Sequence, residues 1–544
     1  MKDHSKAHGS RLNAKSIACM LEGIRLTFKS NEPKGILLWS ATFEDFLRNG
    51  QFAECEHLVA LARSLSVCAR CKARFQFAEG QFRERRNQSE DLTEAERLYL
   101  KSSNEFNTLL HKARNEVQSL LRRGINGRSM VRAEATLKAS RLDAAFGHFQ
   151  LGAFYFTHLR PTKAIQHYQT AARLRKVAHS PGDLALALIG LGEVHRVLSD
   201  FRRARSYFER AILLDRRHLG TPYASATYAL GALCLQRSQF KEAVHWLSKC
   251  VGVSRQQKAL PRKAAALQQL AAVFQIQGRH RRAETALDSA CTIFQKLKDR
   301  VGMASVMHQQ AIVHEEKREL LRARDMYLGA LREWEDAGVK AGESQTRHQL
   351  GVLYHELHED GEARHHYARS LRIARSLKDH AGMTWTLYQI GRLHQDEGRE
   401  HHSEPEKMNR HYAKAERMYR ASMKAASHVG DQQAQARALN QLGIMAQSVG
   451  KYDEAESCYQ GSRAMYHAAK SAIGEADALY QLGAVFHLQG RDDGISRMTL
   501  KKSIALARRV RDQESVAASL QLLTALASAG TNNCRGPMRR RISK

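Results

Sequence analysis

A small residue inside an otherwise helical pattern recurs along most of this chain at an almost fixed step. Leu151-Gly152, Leu191-Gly192, Leu230-Gly231, Leu270-Ala271, Gln310-Ala311, Leu350-Gly351, Ile390-Gly391, Leu442-Gly443 and Leu482-Gly483 follow one another at 40, 39, 40, 40, 40, 40, 52 and 40 residues. Leu522-Leu523 lies 40 residues further on, at the next register position. Self-similarity of this period means an array of repeats, each burying its apolar face against its neighbours.

The content of the period is helical. Twelve residues after most of these sites comes a second small residue: Ala164, Ala204, Ala243, Ala283, Ala323, Ala363 and Ala455. Four further on stands a large apolar one: Tyr168, Phe208, Leu247, Leu287, Tyr327, Tyr367 and Tyr459. Small residues return at Ala171, Ala211, Ala290 and Ala330, seven after the alanine. Offsets of four and seven share one helix face. Each unit therefore reads as helix A, a turn, helix B and a linker, with small residues permitting close helix approach. Breakers at Ser199-Asp200, Gly278, Glu359-Asp360-Gly361 and Gly450 mark the expected turns. All seven prolines (33, 161, 181, 222, 261, 405 and 537) fall outside the predicted helix interiors, where a proline would break the hydrogen-bond ladder.

The pattern Leu-Gly-x-x-Tyr, turn, Ala-x-x-x-Tyr-x-x-Ala resembles the tetratricopeptide repeat, most clearly at Gln349-Leu350-Gly351-Val352-Leu353-Tyr354 with Ala363 and Tyr367. The usual period is about 34 residues. The longer one here resembles the subclass in Pins/LGN-type polarity adaptors and bacterial peptide-sensing regulators. The resemblance implies an all-α fold, a right-handed superhelical solenoid, whose A helices line a concave groove.

It covers roughly residues 140–530, nine repeats and a final capping helix, with twelve extra residues inserted near 399–410. Such an insertion is expected in a turn at one edge of the array. Residues 34–139 read as degenerate helical pairs that cap the array. They are expected to turn at Asn49-Gly50, break at Asn87–Asp91 and break again at Gly124–Gly127. Residues 1–33 read as a partly disordered segment and 531–544 as a disordered basic tail.

Lys and Arg number 86 against 55 Asp and Glu, a net charge of +31. Such an excess favours acidic partners or nucleic acid, but the basic residues are scattered. They are expected on B helices and turns, as in Arg202-Arg203, Arg216-Arg217 and Arg279–Arg282. Nine irregularly spaced cysteines argue against a disulfide framework. The fragment Cys68-Ala-Arg-Cys71, with Cys55 and His57 upstream, lacks the second close pair of a structural zinc site. Neither a secretory signal nor an apolar run of membrane-spanning length is visible. The expected location is the cytoplasm, and cytoskeletal, ciliary or nuclear association is compatible with the same features.

No Walker A loop, GxSxG elbow or HExxH sequence is present. Catalytic, cofactor and metal sites are accordingly not expected. Two positions before the small residue of helix A stands glutamine in eight of ten units: Gln150, Gln269, Gln309, Gln349, Gln389, Gln441, Gln481 and Gln521. An amide offers both a donor and an acceptor, so such a ladder can grip the backbone of an extended peptide without reading its sequence. The candidate groove residues are Gln309, Gln349, Gln389, Gln441 and Gln481, with His308, His348, Trp385, Tyr388, Arg437, Asn440 and Tyr480 around them. Glu315, Glu316, Glu356 and Asp396 make the same face partly acidic. The expected function is a scaffold or adaptor holding a peptide segment of a partner protein. The alternative is RNA binding on the basic outer surface.

Overall fold

The computed structural model describes residues 14–48, 51–86, 89–215, 221–491 and 493–533. Among them every regular element is an α-helix. The chain divides into two compact units, Met1–Gly278 and Arg279–Lys544.

The first unit holds α1 (Ala14–Ser30), α2 (Glu32–Arg48), α3 (Phe52–Ser64), α4 (Ala69–Arg86), α5 (Ser89–Arg122), α6 (Arg128–Thr157), α7 (Pro161–Val177), α8 (Pro181–Val197), α9 (Phe201–Asp215), α10 (Thr221–Gln236), α11 (Phe240–Gln256) and α12 (Leu260–Ile276). Helices α1 to α4 enclose an aromatic core around Trp39, Phe43, Phe75 and Phe82. The Trp39 indole N–H donates to the Leu58 carbonyl at 3.0 Å. The two longest helices, α5 and α6, are joined by the expected break, where Gly124 and Gly127 take φ of 65° and 87°. The expected turn at Asn49-Gly50 and part of the break at Asn87–Asp91 lie outside the described residues.

The second unit holds α13 (His280–Leu297), α14 (Arg300–Glu316), α15 (Leu320–Asp336), α16 (Lys340–Glu356), α17 (Asp360–Ser376), α18 (His380–Glu400), α19 (Pro405–Val429), α20 (Gln432–Ser448), α21 (Tyr452–Ala468), α22 (Ala472–Leu488), α23 (Asp493–Arg509) and α24 (Gln513–Asn533). Thr531 to Asn533 are thus helical, and the basic tail beyond them lies outside the described residues.

The small-residue register is a steric fit. A Cβ placed on Gly351 would sit 2.5 Å from the Tyr367 ring, and one on Gly443 would sit 2.6 Å from Tyr459. These rings are fully buried, so the glycine of helix A is the socket for the aromatic of helix B. Where earlier repeats place Ala171, Ala211, Ala290 and Ala330, later ones place Ser370, Ser422, Ser462 and Ser503. Each donates its hydroxyl to a helix-A carbonyl, of Ser344, Thr384, Ala436 and Ala476, at 2.7–2.9 Å. A buried hydroxyl needs such a partner.

Turns follow a rule that composition hides. A left-handed residue recurs about every twenty positions: Ser238, Lys258, Gly278, Lys298, Arg318, Gly338, His358 and Lys378. Each lets the chain reverse after a helix by satisfying its last carbonyls, as where Glu359 N–H meets the Tyr354 carbonyl at 2.8 Å. The turn expected at Glu359-Asp360-Gly361 therefore sits one residue earlier, at His358, and Asp360-Gly361 already belong to α17. The described prolines occupy the first or second residue of α2, α7, α8, α10, α12 and α19, where the missing N–H costs nothing.

The extra residues of the long repeat form no loop. Helix α18 has 21 residues and α19 has 25, against 17 in α17 and α20, so four and eight additional residues account for all twelve. A hairpin lengthened on both arms keeps its backbone hydrogen-bonded, which a twelve-residue loop does not.

Candidate partner-binding face

The candidate residues all stand on A helices of the second unit. His308 and Gln309 are on α14, His348 and Gln349 on α16, and Trp385, Tyr388 and Gln389 on α18. Arg437, Asn440 and Gln441 follow on α20, and Tyr480 and Gln481 on α22. They do not all play one part.

Three of them tie neighbouring A helices together. His308 Nδ1 lies 3.0 Å from the Thr346 hydroxyl and His348 Nδ1 lies 3.1 Å from that of Thr386. Burial pushes both imidazoles down to a pKa of about 4, so both are neutral at ordinary pH. Asn440 donates through Nδ2 to Asp477 Oδ2 at 3.1 Å. Burial raises the Asp477 carboxyl above its ordinary range. These contacts fix the spacing of the face.

The acidic groups are also engaged within the chain. Tyr327 donates to Glu315 at 2.9 Å, and His280 stands 3.5 Å from Glu316. Arg318 holds Glu356, and His355 lies 3.4 Å from Asp396.

Different groups remain available. The five glutamines are half-buried. Among the described residues, the amides of Gln349, Gln389 and Gln481 make no hydrogen bond to another group of the chain. The Gln441 amide stands beside the Tyr388 hydroxyl. Trp385 is 40% exposed, and the Arg437 guanidinium lies 4.0 Å from its ring centroid, a cation–π pair. Beside it, buried Asn440 Oδ1 has no hydrogen-bond partner. Half-buried Tyr388 and Tyr480 and exposed Arg392 complete the patch.

The basic runs lie elsewhere. Arg202 and Arg203 open α9, while Arg281 and Arg282 open α13, all exposed; Arg216-Arg217 lie outside the described residues. No helix among the described residues is long and apolar enough to cross a membrane.

In two groups, a side chain from a distant segment joins a pair already close in sequence. Glu32 joins Cys68 and Cys71, and Glu397 joins His394 and His411. Cys55 is instead in the core, with its thiol pushed up to about 11 by burial. His394-x-x-Glu397 had a legible i, i+3 spacing; its third member depends on how the long hairpin folds.

A row of A helices with free amides, backed by B helices that carry the packing rings, defines a helical-repeat protein. A family model of the tetratricopeptide repeat matches residues 143–217, 222–296 and 434–494, so these three segments carry tetratricopeptide repeats. Among solved structures it is similar to a Rap protein complexed with competence and sporulation factor (13% identity, 73% of this chain and 99% of that one, TM-score 0.41). It is also similar to BtubC from P. vanneervenii (19%, 40% and 89%, 0.36) and to aspartyl phosphate phosphatase F from Bacillus subtilis (11%, 68% and 96%, 0.37). At such identities and TM-scores these likenesses carry no inference about activity or partner. No curated protein matches the sequence.

Proposed function

We propose that this protein is a scaffold or adaptor, not an enzyme, that holds an extended peptide segment of another protein along the A helices of its second unit. The observation that carries this reading is the row of half-buried amides at Gln349, Gln389 and Gln481 without partners in the chain, next to the Trp385–Arg437 pair. Amides supply paired donors and acceptors to a peptide backbone. Arg437 and Arg392 favour an acidic side chain on the ligand, and Trp385 with Tyr388 offers apolar surface to a neighbouring one. The ties through His308, His348 and Asn440 keep the spacing fixed, so little ordering is needed on binding.

The test is a peptide selected from a random display library on the full chain, followed by hydrogen exchange of the complex. Protection is expected on α16, α18, α20 and α22. Protection confined to the B helices would overturn the reading. Capture that disappears with nuclease and falls steeply with salt would favour nucleic acid, because bound cations release condensed counterions.

A further inference from the structure

We propose that the lengthened α18–α19 hairpin carries a site for a divalent first-row metal ion of the zinc class, ligated by His394 Nδ1, Glu397 Oε2 and His411 Nδ1. The two imidazole nitrogens lie 2.7 and 2.8 Å from that one carboxylate oxygen. All three ligand atoms fall within 4.8 Å of one another. Zinc–nitrogen and zinc–oxygen bonds of about 2.0–2.2 Å put tetrahedral ligands roughly 3.4 Å apart. Each imidazole nitrogen therefore needs to move only about 0.6–0.7 Å from the carboxylate oxygen to admit the ion.

The surroundings hold the ligands in place. Arg364 donates to the other carboxylate oxygen, Oε1, at 2.6 Å, which leaves Oε2 pointing at the imidazoles. Ligating carboxylates are commonly held by such an outer hydrogen bond. Glu397 is buried and the histidines are partly buried. On α18, Gly398 packs against the Tyr412 ring of α19, so the residues flanking Glu397 and His411 sit on packed helices rather than on a loop. In the turn between the two helices, the His401 ring centroid is 5.6 Å from that of His411.

Its place in the fold separates this cluster from an incidental one. His411 lies within the eight residues that lengthen α19, and Glu397 in the turn that lengthens α18. The 17-residue helices of the neighbouring repeats have neither. Two imidazoles and a carboxylate suit zinc, cobalt, nickel or copper. Each imidazole moves its proton from Nδ1 to Nε2 to ligate, and no other bond changes. The Arg364 charge opposes the incoming cation and moderates its affinity.

The test uses the tag-free, metal-free full chain bearing Cys68→Ser and Cys71→Ser, which removes the sulfur-containing group. Cobalt(II) is titrated by absorption and zinc by calorimetry. We expect one equivalent of cobalt with ligand-field bands and no sulfur-to-metal charge-transfer band. His394→Gln with His411→Gln should weaken binding more than tenfold, while His402→Gln leaves it unchanged. Glutamine can still hydrogen-bond Glu397, so the fold is retained, as checked by unchanged exchange in α20 and α21. Independently of any variant, zinc should slow exchange across residues 394–411 in the wild-type chain. No stoichiometric binding, binding indifferent to the two glutamine substitutions, or zinc without effect on that segment's exchange would each overturn the site. Peptide binding along the A helices stands or falls separately.

Discussion

Gly351→Ala sets a helix-propensity gain against a steric loss, and the structure decides which wins. Exchanging glycine for alanine inside a helix stabilises by about 0.8–1.0 kcal/mol. At Gly351 the new methyl would stand 2.5 Å from both Cδ1 and Cε1 of Tyr367, about 1 Å inside normal carbon contact. Tyr367 is fully buried among Tyr327, Leu350, Leu353 and Ala363, so the ring cannot swing into solvent. Overpacking of this kind costs about 1–3 kcal/mol, giving a net loss of roughly 0–2 kcal/mol. The reference substitution is Gly252→Ala, at an exposed position inside α11 where an added Cβ meets nothing within 4 Å. It should stabilise by about 0.5–1 kcal/mol. Repeat proteins unfold in parts, so the assay is native-state hydrogen exchange read in α16–α17 and in α10–α11. Gly351→Ala should speed exchange locally while Gly252→Ala slows it. Equal protection in the two variants would refute the socket.

Other consequences are open to simple measurement. Lys378 holds φ of 53° at a cost of about 1–2 kcal/mol for a non-glycine residue; Lys378→Gly should stabilise the α17–α18 junction by about 0.5–1 kcal/mol, and faster exchange there would contradict this. His308 and His348 have folded-state pKa values of about 4 against roughly 6.5 unfolded. Between these values the unfolded chain binds more protons, so stability is complete above about pH 6.5 and is lost as pH falls towards 4, by a few kcal/mol for the pair. Urea midpoints should fall over that window, and His308→Gln with His348→Gln should flatten the slope. Trp385→Ala should leave helicity unchanged, because the indole is exposed, yet weaken a selected peptide at least severalfold; unaltered affinity would remove the aromatic platform from the reading.

The period was legible because steric sockets demand particular residues. Only glycine leaves room for the ring at Gly351 or Gly443, so the register is written in composition. The turns were less legible, since left-handed positions are filled by Ser238, Lys258, Arg318 and His358, residues that carry no turn signal. Backbone hydrogen bonds at the end of each helix impose that conformation. The roles of the face residues depended on partners far along the chain. His308 finds Thr346 38 residues away, and Asn440 finds Asp477 37 residues away, so neither was free as the spacing suggested. The glutamine positions were correctly placed on A helices, because one register position maps to one place on each helix. The twelve extra residues read as a turn insertion because insertions in a repeat array usually fall in turns. Pro405 instead opens α19, where proline suits a first helical residue.

The claim that the A helices hold a peptide is tested most directly by Gln349→Ala, Gln389→Ala and Gln481→Ala combined, with Gln166→Ala and Gln169→Ala on exposed positions of α7 as the control. Alanine is at least as good a helix former as glutamine, so melting should hardly change. Each lost hydrogen bond should weaken binding by about 0.5–1.5 kcal/mol, and three together by roughly tenfold or more in the Kd of the display-selected peptide. The control should bind as wild type. A triple variant that keeps full affinity while the control loses it would contradict the account.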